Sequence, residues 1–195
     1  MNAIVLAAGL GTRLRPLTLE TPKPALVVKG KPIIRYVLDW LEDAGFGDIL
    51  IKLYYLSDII IEAVGDDRNV EFIVEGELRP TAEFLKRYQN KLEESFLVTN
   101  GDTLTNLNLL EFIEFHLINK NIATVFTKHD AIYTGGTYIF DKEILKYIKK
   151  GDNIPDLMKR LNELDIPINL YFNKAKYFDT ATIEKLEIAR KNFEK

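Results

Sequence analysis

The chain has 195 residues and no cysteine. Disulfides and thiolate-bound metals are therefore excluded, and a reducing compartment such as the cytoplasm suits it. There is no excess of positive charge either. Lys and Arg number 26 against 29 Asp and Glu, for a net charge of −3. A nucleic-acid binder should show the opposite balance, although a local basic pocket is compatible with this total. No apolar run approaches the ~18 residues of a membrane span, so no membrane partner is expected. The N-terminal apolar run is short, has no basic segment ahead of it, and meets Arg13 and Arg15 at once, which is unlike a signal peptide. Internal repeats, low-complexity tracts and long linkers are also missing. What remains is ordinary for a globular protein: 47% apolar and 28% charged residues. The expectation is one cytoplasmic domain, residues 1–195, with a sizeable core. On oligomeric state the sequence is silent.

Short β-rich runs alternate with stretches of helical period. Strands are predicted at Ala3–Ala8, Ile49–Tyr54, Val70–Val74, Phe96–Thr99, Ala123–Thr127, Thr137–Phe140 and Ile168–Phe172. Between the first two, Ile33, Ile34, Val37, Leu38, Leu41 and Ala44 share one helical face, and Pro32 suits a first turn. A helix capped by Ser57 and Asp58 is expected to run to Val64. Others are expected over Thr81–Leu92, Asn108–Asn119 with a capping-box-like Asn108 and Glu111, Asp141–Lys150, Asn153–Leu164, and from about Thr182 onward. Such alternation predicts an α/β three-layer sandwich with a mostly parallel central sheet. Ligands of such sheets bind at the carboxyl ends of the strands.

The first strand ends in "LAAGLGTRLRPLTLETPKPA". Four of the seven prolines fall between residues 16 and 32, which makes this a stiffened loop of real length; long loops inside compact domains are usually functional. Two common phosphate-loop templates fail on it. A dinucleotide fingerprint needs a glycine where Leu14 stands, and the Gly-Lys-Ser/Thr of a Walker loop is absent. Gly9 and Gly11 still admit an anion to the backbone amides. Arg13 supplies a fork for phosphate oxygens and Lys23 a compact charge. Alone, Gly-x-Gly better describes a glycine turn with solvated basic neighbours.

Taken whole, "LAAGLGTRLRPLT" followed by "PKPALVVKGKPII" resembles the signature of the sugar-1-phosphate nucleotidyltransferases. That resemblance, strongest over residues 3–34, implies a Rossmann-like nucleotidyltransferase fold. It implies an enzyme that joins a nucleoside triphosphate to a sugar 1-phosphate and releases pyrophosphate. Residues 1–105 would mainly serve the nucleotide and 106–195 the sugar phosphate, with no room after Asp179 for an added acyltransferase domain. Gly9, Gly11, Thr12 and Arg13 would wrap the triphosphate, and Lys23 would reach the reacting phosphates, so that Arg13 and Lys23 act catalytically. Backbone atoms of Ala7 and Ala8 would face the base.

Nucleotidyl transfer concentrates charge at one phosphorus, and Mg²⁺ bound by one or two carboxylates plus phosphates commonly offsets it. Asp102 follows an apolar strand in a Gly-Asp turn, and Asp179 stands at a short strand's end before a helix. In isolation each reads better as a turn or cap residue. The resemblance assigns both to the metal, Asp102 by a close match and Asp179 despite Ala181 and Ile183 where relatives have Gly and Pro.

The resemblance also places "VEGELRPTAEF" beside the base. Glu75 could take two donors from a guanine edge, and Thr81 would lie in the same loop; a solvated Glu75 is the plain alternative. Pro80 and Glu83 replace family glycines and should stiffen and reshape that loop. Gly101 would border the sugar phosphate, and in "YTGGTYIF" Gly135 and Gly136 would admit the sugar, with Thr134 replacing a family Asn. "TVFTKHDAIYTGG" is shorter than in relatives. His129, in that connection, is read as a solvated loop residue that could reach the site, His116 as structural, and Trp40 as core. The shortened connection and the altered Glu-rich loop motivate a rival, a catalytically weak nucleotide- or sugar-phosphate-binding regulatory homologue; a further reading keeps the enzyme but gives it a non-sugar acceptor such as phosphocholine.

Overall fold

The computed structural model describes residues 1–66, 68–127 and 136–193. Among the described residues eleven strands form: β1 Asn2–Leu6, β2 Val27–Val28, β3 Lys31–Pro32, β4 Ile49–Leu53, β5 Val70–Val74, β6 Ser95–Asn100, β7 Leu104–Thr105, β8 Ala123–Thr127, β9 Thr137–Asp141, β10 Asn169–Phe172 and β11 Tyr177–Phe178. The helices are α1 Ile33–Asp43, α2 Ser57–Val64, α3 Thr81–Arg87, α4 Leu109–Asn119, α5 Ile154–Glu163 and α6 Ile183–Asn192.

All seven predicted strands enter one seven-stranded sheet of order β10-β8-β9-β6-β1-β4-β5. Every pairing is parallel except those of β9, which runs antiparallel to both β6 and β8. The expected mostly parallel α/β sandwich is therefore what forms. Strands buried on both faces read as near-continuous apolar runs, and the two faces separate cleanly. Val5, Leu97 and Ile139 pack towards α1 and α4 through Val37, Leu38 and Phe112. Ile4, Val98 and Phe140 pack oppositely, towards α3 and α5 through Phe84, Leu157 and Met158. A third, smaller core joins Leu14, Leu26 and Val28 of the opening loop to Leu186, Ala189 and Phe193 at α6.

The sheet order places the site. The chain lays down β1, β4 and β5 towards one edge and then returns to set β6 on the other side of β1. That reversal is a topological switch point, where open α/β sheets leave a crevice. Because β9 is reversed, its first residues meet the carboxyl end of β6: Thr99 pairs with Thr137, and the Asn100 N–H donates to the Gly136 carbonyl at 3.1 Å.

Three local expectations change. Ser57 lies inside α2, and the cap is Leu56, held left-handed at φ 48° without a side-chain cap bond. Asp141–Lys150 forms a 3-10 helix over Lys142–Tyr147. The Asp141 carboxylate, which could have capped an α-helix, is taken by Ser95 Oγ at 2.5 Å and His116 Nε2 at 3.2 Å. The Thr81 helix ends at Arg87, with a 3-10 turn over Gln89–Lys91. His116 is structural as expected, buried between Thr124 and Asp141. Trp40 packs against the core and donates to the Leu107 carbonyl at 2.7 Å.

Candidate active site

The opening loop folds as three 3-10 turns, Thr12–Leu14, Leu17–Leu19 and Lys23–Ala25. Thr18 pins it from beneath, fully buried, with Oγ1 donating to the Gly11 carbonyl at 2.8 Å. Gly11 has φ +60°, and an added Cβ would meet Thr18 Cγ2 at 2.9 Å, so both backbone and space demand glycine there. A Cβ on Gly9 would meet nothing. Thr12 and Arg13 are exposed beside it, and Arg13 makes no hydrogen bond or ion pair among the described residues.

The last of these turns brings Lys23 back to the sheet edge. Its ammonium pairs with Asp102 Oδ2, both side chains being partly buried. Asp102 and Asp179 sit at adjoining ends of a two-stranded ribbon in which Leu104 pairs with Phe178. Thr180 Oγ1 donates across it to the Asp102 carbonyl at 3.4 Å. Partial burial tends to raise the Asp179 carboxyl, but the Lys185 ammonium and the Ala181 N–H, at 2.7 Å, hold it below its ordinary value. Tyr177, on the same ribbon, is pushed up by burial and then by the charges of Asp102 and Asp179. Among the described residues no group of three acidic or histidine side chains could hold a metal alone. A cation at these two carboxylates would need further oxygen ligands from a substrate.

Two clefts open along the carboxyl edge. The larger, about 550 Å³, is bordered by Asn100, Gly136, Tyr138, Tyr177 and Asn153. Burial alone pushes the Tyr138 phenol up to about 12, leaving it a neutral donor. Gly136 has φ +60°, and an added Cβ would lie 2.6 Å from Asn100 Nδ2. The smaller cleft, about 260 Å³, has Leu6, Ala8, Leu78, Pro80 and Thr81 around it, with Lys52 contributing. Gly135, Thr134 and His129 lie outside the described residues.

Several expected site residues also have structural partners. Glu75 is buried rather than solvated: its side chain is 1% exposed. Lys52 Nζ lies 3.2 Å from its carboxylate and Arg79 Nε 3.3 Å, yet neither Glu75 oxygen accepts a well-aligned hydrogen bond. Ala8 borders the smaller cleft, but the Ala7 N–H is taken by the Lys52 carbonyl at 2.9 Å. Gly101 answers to packing: a Cβ there would strike Ala7 Cβ at 2.9 Å. Thr81 is engaged by α5, its N–H donating to Asn153 Oδ1 at 3.1 Å and its Oγ1 accepting from the Ile154 N–H at 2.9 Å. Glu83, the residue replacing a family glycine, accepts from the Gly151 N–H at 2.7 Å. The first turns of α3 and α5 are thus clasped together.

Sequence reasoning missed Asn153, Tyr177 and Lys52. Asn153 and Tyr177 carried only cap and strand signals. Lys52 did carry one: a lysine inside the apolar run "ILIKL".

Comparison with known proteins decides the family. The model described as "Nucleotidyl transferase" matches residues 2–135. The chain belongs to this family. It is 28% identical over 207 residues to the bifunctional protein GlmU of Methanocaldococcus jannaschii, covering 89% of the chain and 50% of that protein. A mannose-1-phosphate guanyltransferase of Hypocrea jecorina is 35% identical over 133 residues, covering 64% of the chain and 36% of the relative. The structure of HddC from Yersinia pseudotuberculosis complexed with GMP-PN superposes with a TM-score of 0.79 at 26% identity, covering 99% of both chains. The chain spans about half the length of the first curated relatives it matches. Among the described residues no helix is long and apolar enough to cross a membrane.

Proposed function

We propose that this nucleotidyl transferase joins a nucleoside triphosphate to a sugar 1-phosphate, forming an NDP-sugar and releasing pyrophosphate. The observation that carries the reading is the Lys23–Asp102 ion pair, which ties the opening loop to the carboxyl end of β6 at the switch point. The reaction needs no nucleophilic side chain, because the sugar phosphate is already anionic at neutral pH. Its oxygen attacks the α-phosphorus in line, and pyrophosphate leaves from the opposite side. Positioning and preorganised charge supply the catalysis.

In this reading Gly9, Gly11 and Thr12 let the loop amides approach the triphosphate. Arg13 meets the leaving phosphates, and Lys23 moves from Asp102 to the reacting phosphate. The larger cleft, with Gly136 and Tyr138, takes the sugar; the smaller takes the base. Asp102 and Asp179 hold Mg²⁺. Both already attract an ammonium group, from Lys23 and Lys185, and two carboxylates completed by phosphate oxygens make the hard donor set this ion prefers. When bound, the ion neutralises charge on the phosphates. A single domain with the nucleotide mainly on residues 1–105 fits a sheet whose β1, β4, β5 and β6 are contiguous. A cytoplasmic location belongs with such phosphorylated substrates.

The test is a pyrophosphate-release screen of nucleoside triphosphates against a panel of sugar 1-phosphates, with and without Mg²⁺. Turnover with at least one pair, dependent on Mg²⁺ and reduced about a hundredfold by Arg13→Ala, is expected. Nucleotide binding without turnover for any pair would support a binding homologue instead.

A further inference from the structure

Asp179 has both of its carboxylate oxygens engaged. The Ala181 N–H donates to Oδ1 at 2.7 Å, and the Lys185 ammonium pairs with Oδ2. Lys185 has no other acidic partner among the described residues. Its place in the helix is unusual. Thr182 caps α6 and accepts from the Lys185 N–H at 3.3 Å, which makes Lys185 the third residue of the first turn. A capping box puts Glu or Gln there, to reach back to the cap. The helix dipole likewise favours an acid over a cation at that end. The helix gains nothing from an ammonium at this position; Asp179 does. α6 is in turn fastened to the opening loop. Leu186 and Ala189 pack on Leu14, Leu26 and Val28, and Arg190 Nε donates to the Val27 carbonyl at 3.0 Å. Lys185 is therefore carried on an element packed against the loop that bears Arg13 and Lys23.

We propose that Lys185 is an exchangeable counter-ion: it holds the Asp179 carboxylate until a nucleoside triphosphate arrives with Mg²⁺, then moves to the phosphates, so that metal entry is coupled to nucleotide arrival. This rests on Asp179 being a metal ligand in the proposed reaction. An ammonium and a divalent cation compete for one carboxylate, since each repels the other at close range. Lys185 must therefore give way to a bare cation, and is then left without a partner. Two carboxylates supply only part of the ligand set of Mg²⁺, and phosphates supply the rest. Phosphate oxygens thus come to the carboxylate that Lys185 leaves, and its flexible four-carbon stem lets the ammonium follow them. Lys185 pairs first with Asp179 and then with a phosphate, so its charge is balanced at each stage. Lys23 stands in the same relation to Asp102. By linkage, the triphosphate raises metal affinity by the same factor by which the metal raises triphosphate affinity. Lys185 enlarges that factor from both sides, opposing the bare ion and favouring the ion that comes with phosphates.

A mere brace for Asp179 behaves differently. If Lys185 only orients the carboxylate, its loss weakens metal and nucleotide binding alike. If it exchanges, its loss moves the two in opposite directions. Mn²⁺, a probe for the Mg²⁺ site, is titrated into the full chain without nucleotide and read from the electron paramagnetic resonance signal of the free ion. Lys185→Gln removes the charge and completes the capping box with Thr182, so α6 and the melting temperature should hold. It is expected to bind Mn²⁺ about fivefold more tightly than the native protein, the scale of a half-exposed ion pair. Lys185→Arg, which keeps the charge, should stay within about twofold of native. Isothermal titration calorimetry with GTP, UTP, ATP, CTP and dTTP in saturating Mg²⁺ supplies the second readout. The triphosphate that the native protein binds best should bind about fivefold more weakly to Lys185→Gln. A Mn²⁺ affinity that is unchanged or lower in Lys185→Gln overturns the inference, as does undiminished triphosphate binding; both leave the proposed activity standing. Adding Asp179→Asn to Lys185→Gln should abolish the gain in Mn²⁺ affinity, and a gain that survives it overturns the exchange at Asp179. If no variant binds Mn²⁺, the metal reading fails and this inference with it. If no triphosphate binds the native protein, the proposed activity itself fails.

Discussion

Replacing Gly101 by alanine separates two explanations for a glycine beside a candidate metal ligand. If Gly101 is there to admit a sugar phosphate, the substitution should raise the KM for that substrate and leave stability unchanged. The structure predicts the reverse. The new Cβ would lie 2.9 Å from Ala7 Cβ, 3.2 Å from Ile34 Cδ1 and 3.3 Å from Val5 Cγ1. Carbon atoms prefer about 3.5–4.0 Å, so β1 and β6 must part or α1 must shift. Overpacking of this kind costs about 1–3 kcal/mol. The backbone at Gly101 is not left-handed, so alanine recovers about 0.4–1 kcal/mol by restricting the unfolded chain. A net loss of about 1–2 kcal/mol remains. For a domain of this size that lowers Tm by roughly 2–8 °C and shifts the urea midpoint at constant m. Adding Ala7→Gly removes the nearest opposing atom, so the double variant should recover part of the loss, a coupling that a double-mutant cycle measures. An unchanged melting curve combined with a raised KM for the sugar phosphate would refute the packing account.

Asp102→Asn should lower Mg²⁺-dependent pyrophosphate release by about a hundredfold or more while leaving the far-UV circular dichroism spectrum intact. Asn153→Ala removes the cap of α5 and the acceptor for the Thr81 N–H; about 1 kcal/mol of stability should go, and the KM values for nucleotide and sugar phosphate should rise together because the residue borders both clefts. Asp152 is held below its ordinary value chiefly by its hydrogen bonds with Arg160. Its stabilisation is therefore present above the unfolded carboxylate pKa of about 3.9 and is lost as pH falls through the depressed folded value. Asp152→Asn should cost about 1–2 kcal/mol at pH 7, and the gap in urea midpoint between it and the native protein should close below about pH 4.

The sheet was legible because burial on both faces turns each strand into a short apolar run, and all seven such runs pair in it. The opening loop was legible because its glycines and prolines constrain the backbone wherever they stand. What escaped detection depends on neighbours remote in sequence. The Thr81–Asn153 clasp joins residues 72 positions apart, and nothing local announces it. A solvated Glu75 stood as an alternative because its partner Lys52 lies on another strand, and a lysine in an apolar run reads as an outward-facing residue until the sheet covers it. The left-handed Leu56 carries no residue-type signal, since leucine seldom adopts that conformation. Asp141 failed to start an α-helix because Ser95 and His116 hold its carboxylate.

The small core between α6 and the opening loop has a consequence for the order of assembly. Leu14, Leu26 and Val28 are made long before Leu186, Ala189 and Phe193, which cover them. Arg190 adds a late tie, donating to the Val27 carbonyl at 3.0 Å. During synthesis, β1 can pair with β4 and β6 long before that cover exists. The stretch bearing Arg13 and Lys23 therefore waits, anchored at one end and uncovered at the other, until α6 leaves the ribosome. A nascent chain stalled before α6 should expose this loop to protease while its sheet is already protected, so the opening loop is covered only once α6 has been made.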